Sequence, residues 1–120
     1  MVVKNVGEVK PLQVDGAIDV FIIPLITRFD GAQDMELRKF TIKPGGRIPA
    51  HLHPEIEHVQ YVLRGSYLVG IGDKVYRVKE GDAILIPRNS VHWYENDGEE
   101  EAAFICVIPR REYTTKTVEL

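Results

Sequence analysis

The chain has 120 residues, 44% apolar and 28% charged, with a formal net charge of −3; that length holds one domain with a single core, and the composition is that of a soluble globular protein. The acidic balance, with no Lys/Arg cluster interleaved with aromatics, argues against nucleic acid as a partner. The single cysteine, Cys106, excludes an internal disulfide and a cysteine-rich zinc site, and no apolar run approaches the roughly 18–20 residues of a membrane helix.

In chain order, residues 1–17 carry no strong pattern, and no signal-peptide core follows Met1-Val2-Val3-Lys4-Asn5. With one free thiol, this predicts an untargeted cytoplasmic protein. Ile18 to Ile26 is the first β-branched run and Glu36 to Ile42 the second. Pro44-Gly45-Gly46 predicts a break after Ile42. His58 to Leu63 and Tyr67 to Ile71 follow, and Gly72-Asp73 reads as a two-residue hairpin into Val75 to Val78. Glu80-Gly81-Asp82 and Pro87-Arg88-Asn89 bracket Ala83 to Ile86, and Asp97-Gly98 leads towards Ala103 to Ile108. Residues 112–120 are again without pattern. Helical periodicity is nearly absent. Short strands separated by turn residues predict one all-β sandwich or barrel over residues 1–120, with terminal arms free to pair with a barrel edge or a partner chain.

The protein has four histidines. His51 and His53 stand two apart in a β context, so their side chains share a face about 6.5–7 Å apart along the strand. That suits two imidazoles converging on one ion with bonds near about 2 Å. His58 follows Pro54, and His92 follows the Pro87 turn. Such a pair alone leaves open a surface or core role for each ring.

The wider pattern resembles the two motifs of the cupins. Gly45, five residues, His51-Leu52-His53, four residues, His58, six residues, Gly65 is similar to the first. Gly81, five residues, Pro87, one residue, Asn89, two residues, His92, three residues, Asn96 is similar to the second. The motif core spans residues 45–96. The resemblance is to small single-domain cupins of the four-histidine type. It implies a double-stranded β-helix, the cupin jelly-roll barrel, with His51, His53, His58 and His92 on the metal positions. Two departures stand out. His58 replaces the usual carboxylate ligand, and Asn89 replaces the usual turn glycine, asparagine being among the residues that best tolerate positive φ. Glu57 offers a rival alignment with a carboxylate ligand. Adjacent strand residues face opposite ways, so only one of the two points inward. His58 keeps the spacing to Gly65 and would set Gln60 and Val62 on the inner face, with Glu55 and Glu57 at the rim or outside.

An all-imidazole site adds no ligand charge and leaves one or two positions open. The expectation is one divalent transition metal per chain. Two cis openings on an octahedral ion favour Mn or Fe, with Zn, Ni, Co and Cu as alternatives. Strand parity puts Tyr94 and Asn96 on the face of His92, sets Phe104, Cys106 and Ile108 together, and aligns Arg38, Phe40 and Ile42. Ile48 falls near the entrance. The candidate pocket residues are therefore Arg38, Ile48, Gln60, Tyr94, Phe104 and Cys106. Phe40, Ile42, Phe104 and Ile108 also read as plain core, Arg38 as solvated rim, and Cys106 as a small buried hydrophobe. Trp93 is expected opposite His92, packed between sheets.

A wall of Phe, Tyr and Ile with one cation and one thiol suits a small, partly apolar ligand able to carry negative charge. The resemblance implies a metal-dependent oxidoreductase of dioxygenase type, with a small-molecule substrate. A sugar- or keto-acid isomerase or lyase using the metal as Lewis acid, or a non-catalytic binding cupin, stand as alternatives. No membrane or nucleic-acid partner is expected. A homodimer is, through an outer face keeping Tyr61, Leu63, Leu85 and Val107, with residues 1–17 as an arm that can be exchanged.

Overall fold

A computed structural model describes all 120 residues. Ten strands form a single antiparallel, strongly curled sheet: β1 (Leu12–Gln13), β2 (Ile18–Ile26), β3 (Met35–Leu52), β4 (His58–Arg64), β5 (Ser66–Ile71), β6 (Lys74–Lys79), β7 (Ala83–Ile86), β8 (His92–Glu95), β9 (Ala102–Pro109) and β10 (Lys116–Thr117). Two short 3-10 turns, Val6–Glu8 and Arg28–Asp30, are the only helical pieces. No helix is long and apolar enough to cross a membrane. The predicted all-β barrel is therefore what the chain forms. The strand order is β6-β5-β8-β3-β9-β4-β7, with β2 and β10 also paired to β3 and β1 to β2.

β3 closes this arrangement. Its first half, Met35 to Ile42, pairs with β9, while Arg47 to His51 pair with β8. The expected break at Pro44-Gly45-Gly46 does not occur. The chain stays extended and turns a corner there. Gly45 N–H donates to the Asn96 carbonyl and Asn96 N–H to the Gly46 carbonyl, both at 2.9 Å. Gly46 is buried, and a Cβ on it would stand 2.8 Å from the Asp19 carbonyl oxygen, so only glycine fits this corner. The break signal was real, but cross-strand pairing overrode it.

Local chemistry explains the other elements. Pro24 is tolerated inside β2 because β1 covers only Phe21 and Ile22, which leaves Pro24 on an open edge. The β5–β6 hairpin turns on Gly72-Asp73, with Ile71 opposite Lys74. Asn89 takes φ 65°, a value that few residues other than glycine adopt readily. Alternation in β4 buries His58, Gln60 and Val62 and exposes Val59, Tyr61 and Leu63. The core gathers Val20, Phe40, Ile42, Val62, Tyr67, Phe104, Cys106 and Ile108 among its buried members.

Trp93 lies opposite His92 in β8, but it does not pack between sheets. Its half-buried indole lies across its strand neighbour Gly70, where a Cβ would come within 2.0 Å of Nε1. The glycine provides a slot on the outer face.

Both termini join the sheet. Leu12–Gln13 pairs with β2 of the same chain, and Lys116–Thr117 pairs with Leu52 and His51 at the end of β3.

Candidate metal centre

Three strand ends and one loop bring the histidines to one end of the barrel. β3 supplies His51, and His53 stands just past its last residue. β8 begins at His92 and β4 at His58. His51 pairs with His92 across the β3–β8 ladder. One ring nitrogen from each of His51, His53 and His92 lies within 4.8 Å of the other two, a spacing suited to a shared ion. His58 stands beside this triad, its ring centroid 5.0 Å from His53 and 5.3 Å from His92. Of the expected four, three cluster at ligand spacing, and His58 stands next to that group without belonging to it. β4 lies beyond β9 from β3, so His58 faces the others across the curl of the sheet instead of along a shared ladder. Glu57 is exposed, whereas His58 is buried.

Each triad ring is oriented by a main-chain acceptor. His51 Nδ1 donates to the Pro49 carbonyl at 2.7 Å, His92 Nδ1 to Ser90 at 2.9 Å and His53 Nδ1 to Thr114 at 3.1 Å. An Nδ1–H so engaged leaves Nε2 as a lone-pair donor. His92 Nε2 and both nitrogens of His58 are buried with no hydrogen-bond partner. Burial lowers all four rings and keeps them neutral. It takes His58, helped by the charge of Arg38, to about 2, and His92 to about 3. Three imidazoles at ligand spacing, two of them buried and one half-buried, form a donor set that fits a divalent transition metal.

The cluster opens into a cavity of about 470 Å³. Of the expected pocket residues, Arg38, Ile48, Gln60, Tyr94 and Phe104 line it. Cys106 does not. It is fully buried just behind the wall, covered by Arg38, whose Nη2 donates to Sγ at 3.3 Å, and by Gln60. Phe104 stacks on Phe40 at 4.9 Å and on Tyr94 at 5.2 Å, a flat aromatic floor. Leu12 to Gly16, Tyr113, Thr115 and Thr117 complete the wall. Sequence reasoning missed these, because their only signal is a pairing between distant segments. Tyr113 sets its ring edge-on to His53 at 5.1 Å.

Residues 38–108 match the cupin domain family (Cupin_2). Among curated proteins, oxalate oxidase GF-2.8 of Triticum aestivum is 34% identical over 79 residues, 59% of this chain and 35% of the wheat protein. Germin-like protein 3-1 of Oryza sativa subsp. japonica is 37% identical over 70 residues, 54% of this chain and 31% of the rice protein. The chain thus spans about a third of the length of the curated relatives it matches. Among solved structures, the polyketide cyclase RemF from Streptomyces resistomycificus superposes with a TM-score of 0.93 at 31% identity, covering 100% of this chain and 87% of that one. A cupin-2 domain from Rhodospirillum rubrum superposes at 0.86 with 21% identity, covering 98% and 80%, and shares the fold. With the two motifs on a curled β-barrel and a histidine cluster at one end, this chain belongs to the cupin domain family.

Proposed function

We propose that the chain is a metal-dependent enzyme in which His51, His53, His58 and His92 hold one divalent transition metal and the cavity takes a small, partly apolar substrate through a carbonyl or enol oxygen. The carrying observation is the set of nitrogens that the fold leaves unspent: Nδ1 of three rings is engaged by main-chain carbonyls, and His92 Nε2 and both His58 nitrogens are buried without partners. Each buried polar atom without a partner costs about 1–3 kcal/mol, and a shared cation removes that cost for His92 Nε2 and for one nitrogen of His58. When bound, such an ion supplies Lewis acidity to a substrate oxygen, undiminished by ligand charge.

The chain's own residues do the rest. The Pro49, Ser90 and Thr114 carbonyls hold three rings in one tautomer. The Phe40, Phe104 and Tyr94 stack offers a planar apolar surface to an unsaturated substrate. Tyr113 and the Leu12 to Gly16 segment narrow the opening and restrict water.

Similarity to a protein described as a polyketide cyclase, over the whole length of this chain, supports carbon–carbon bond formation on an enolisable carbonyl compound. Similarity to an oxalate oxidase supports a second reading, the dioxygenase-type oxidoreductase. The test begins with metal analysis of protein from its native host. Its Zn, Mn and Fe forms are then incubated with aryl 1,3-diketones while product and dissolved O₂ are followed. Product without O₂ uptake supports the first reading, and stoichiometric O₂ uptake the second. Full metal occupancy with no turnover points to a binding protein, and failure to hold any metal overturns both. We also propose a homodimer, supported by the apolar outer face of β4 and β7, where Val59, Tyr61, Leu63 and Leu85 are exposed.

A further inference from the structure

The cavity wall carries a fixed positive charge that no carboxylate answers. Arg38 projects from β3 opposite Cys106 and donates from Nη2 to its sulfur at 3.3 Å. Its guanidinium stands 5.1 Å from the centre of the Phe40 ring. Its Nε is buried without a partner. The ion pairs of the protein join Lys4 to Asp30, Arg28 to Glu36, Arg64 to Glu101 and Arg77 to Asp97, and none includes Arg38. The single acidic residue on the lining, Asp15, is exposed in the N-terminal segment. Arginine stays protonated at every working pH, and a thiol is only a weak acceptor for it. A charge held this way in a partly apolar wall is costly unless an anion meets it.

The neighbouring polar groups complete a recognition set. Gln60 is 2% exposed and donates from Nε2 to the Tyr94 hydroxyl oxygen at 2.8 Å. Tyr94 therefore keeps its own proton to give. Gln60 Oε1 is buried and has no partner. Arg38, Gln60 and Tyr94 all line the cavity, which brings a guanidinium, a carboxamide and a phenol together on one wall.

We propose that Arg38, Tyr94 and Gln60 form an oxyanion subsite that binds a carboxylate on the substrate, so that the cavity selects partly apolar carboxylic acids over their neutral analogues. The guanidinium fork and the phenol O–H donate to the carboxylate oxygens, and Gln60 Oε1 accepts from an adjacent hydroxyl or enol. This deepens the metal-dependent reading and rests on it for the opposite end of the substrate, which makes that substrate a keto or enol acid.

The test is calorimetric titration of the full chain at pH 8 with benzoate and with its neutral isostere benzamide. It is done on protein as purified, with metal content measured, and again after EDTA. In both states benzoate binds about ten-fold or more tightly than benzamide, the equivalent of one hydrogen bond to a charged group. Arg38→Met removes that preference, and Arg38→Lys, which keeps the charge without the fork, retains part of it. Absence of a preference in wild-type protein, whether both probes bind or neither does, overturns the subsite. So does a preference that survives Arg38→Met. Should Arg38→Met fail to fold by circular dichroism, the wild-type comparison after EDTA decides alone, because no metal–carboxylate contact then contributes. A chain that holds no metal yet prefers benzoate refutes the metal centre and keeps the subsite; a metal-loaded chain without the preference does the reverse.

Discussion

His53 donates its Nδ1 proton to the carbonyl of Thr114, 61 residues further along the chain, at 3.1 Å. The Thr115 hydroxyl lies 3.2 Å from the same nitrogen. Glu55 in turn anchors the tail, accepting from Thr114 N–H at 2.9 Å and from its hydroxyl. The C-terminal segment is thus the orienting shell of one candidate ligand. Such shells are worth about 10–100-fold in metal affinity. Removing residues 113–120 is expected to weaken metal binding by about that range, read by competition with a chromophoric chelator, while the far-ultraviolet spectrum keeps its β signature. Glu55→Ala loosens the same anchor and is expected to cost a few-fold.

The histidines are expected to separate from Glu57 by metal content. Alanine at His51, His53 or His92 removes a member of the triad and leaves little bound metal by elemental analysis. His58→Ala lowers occupancy as well, because it deletes a buried imidazole whose two nitrogens have no other partner. Glu57→Gln changes an exposed side chain and leaves occupancy unchanged. Full occupancy in His58→Ala together with loss in Glu57→Gln would reverse the assignment.

Acid is expected to destabilise the metal-stripped protein. In the unfolded chain His58 and His92 protonate near pH 6.5; in the folded chain, burial holds them at about 2 and about 3. Between those limits the unfolded state binds more protons, so stability falls as pH drops below about 6.5 and is indifferent to these groups above it. The limiting slope is about 1.4 kcal/mol per pH unit for each ring. Thermal melts in EDTA between pH 8 and pH 5 check this, and a flat melting temperature below pH 6.5 would contradict it.

Asn96 ties the corner of β3 to the loop after β8. Fully buried, it donates from Nδ2 to the Ile42 carbonyl at 2.9 Å and to the Glu100 carbonyl at 2.8 Å, and accepts from Gly98 N–H at 3.0 Å. Asn96→Leu leaves those main-chain groups unpaired. The expected loss is about 2–4 kcal/mol by urea denaturation, with much smaller effects from surface changes such as Glu99→Gln.

The proposed dimer is expected to dissociate when charge enters its face. Wild-type protein should sediment as a dimer at micromolar concentration, and a Tyr61→Glu, Leu85→Glu double variant as a folded monomer. A monomeric wild type would remove this proposal and leave the metal centre standing.

What could be read from the residue order was whatever depends on local chemistry. Alternation in His58 to Leu63 told inside from outside, because strand side chains alternate with period two. Asn89 marked a left-handed turn, and Gly72-Asp73 marked a hairpin. The spacing of His51, His53, His58 and His92 within the two motifs singles them out in the sequence itself. The tertiary structure decided the rest, because those outcomes depend on segments far apart in sequence. Only cross-strand hydrogen bonds to Asn96 carry β3 through Pro44-Gly45-Gly46 unbroken. Only the curl of the sheet sets His58 beside a tighter group of three. Only packing hides Cys106 behind Arg38 and Gln60. And the patternless tail supplies the Thr114 carbonyl because a main-chain acceptor is common to every residue type, so no side-chain pattern can announce where one will be used.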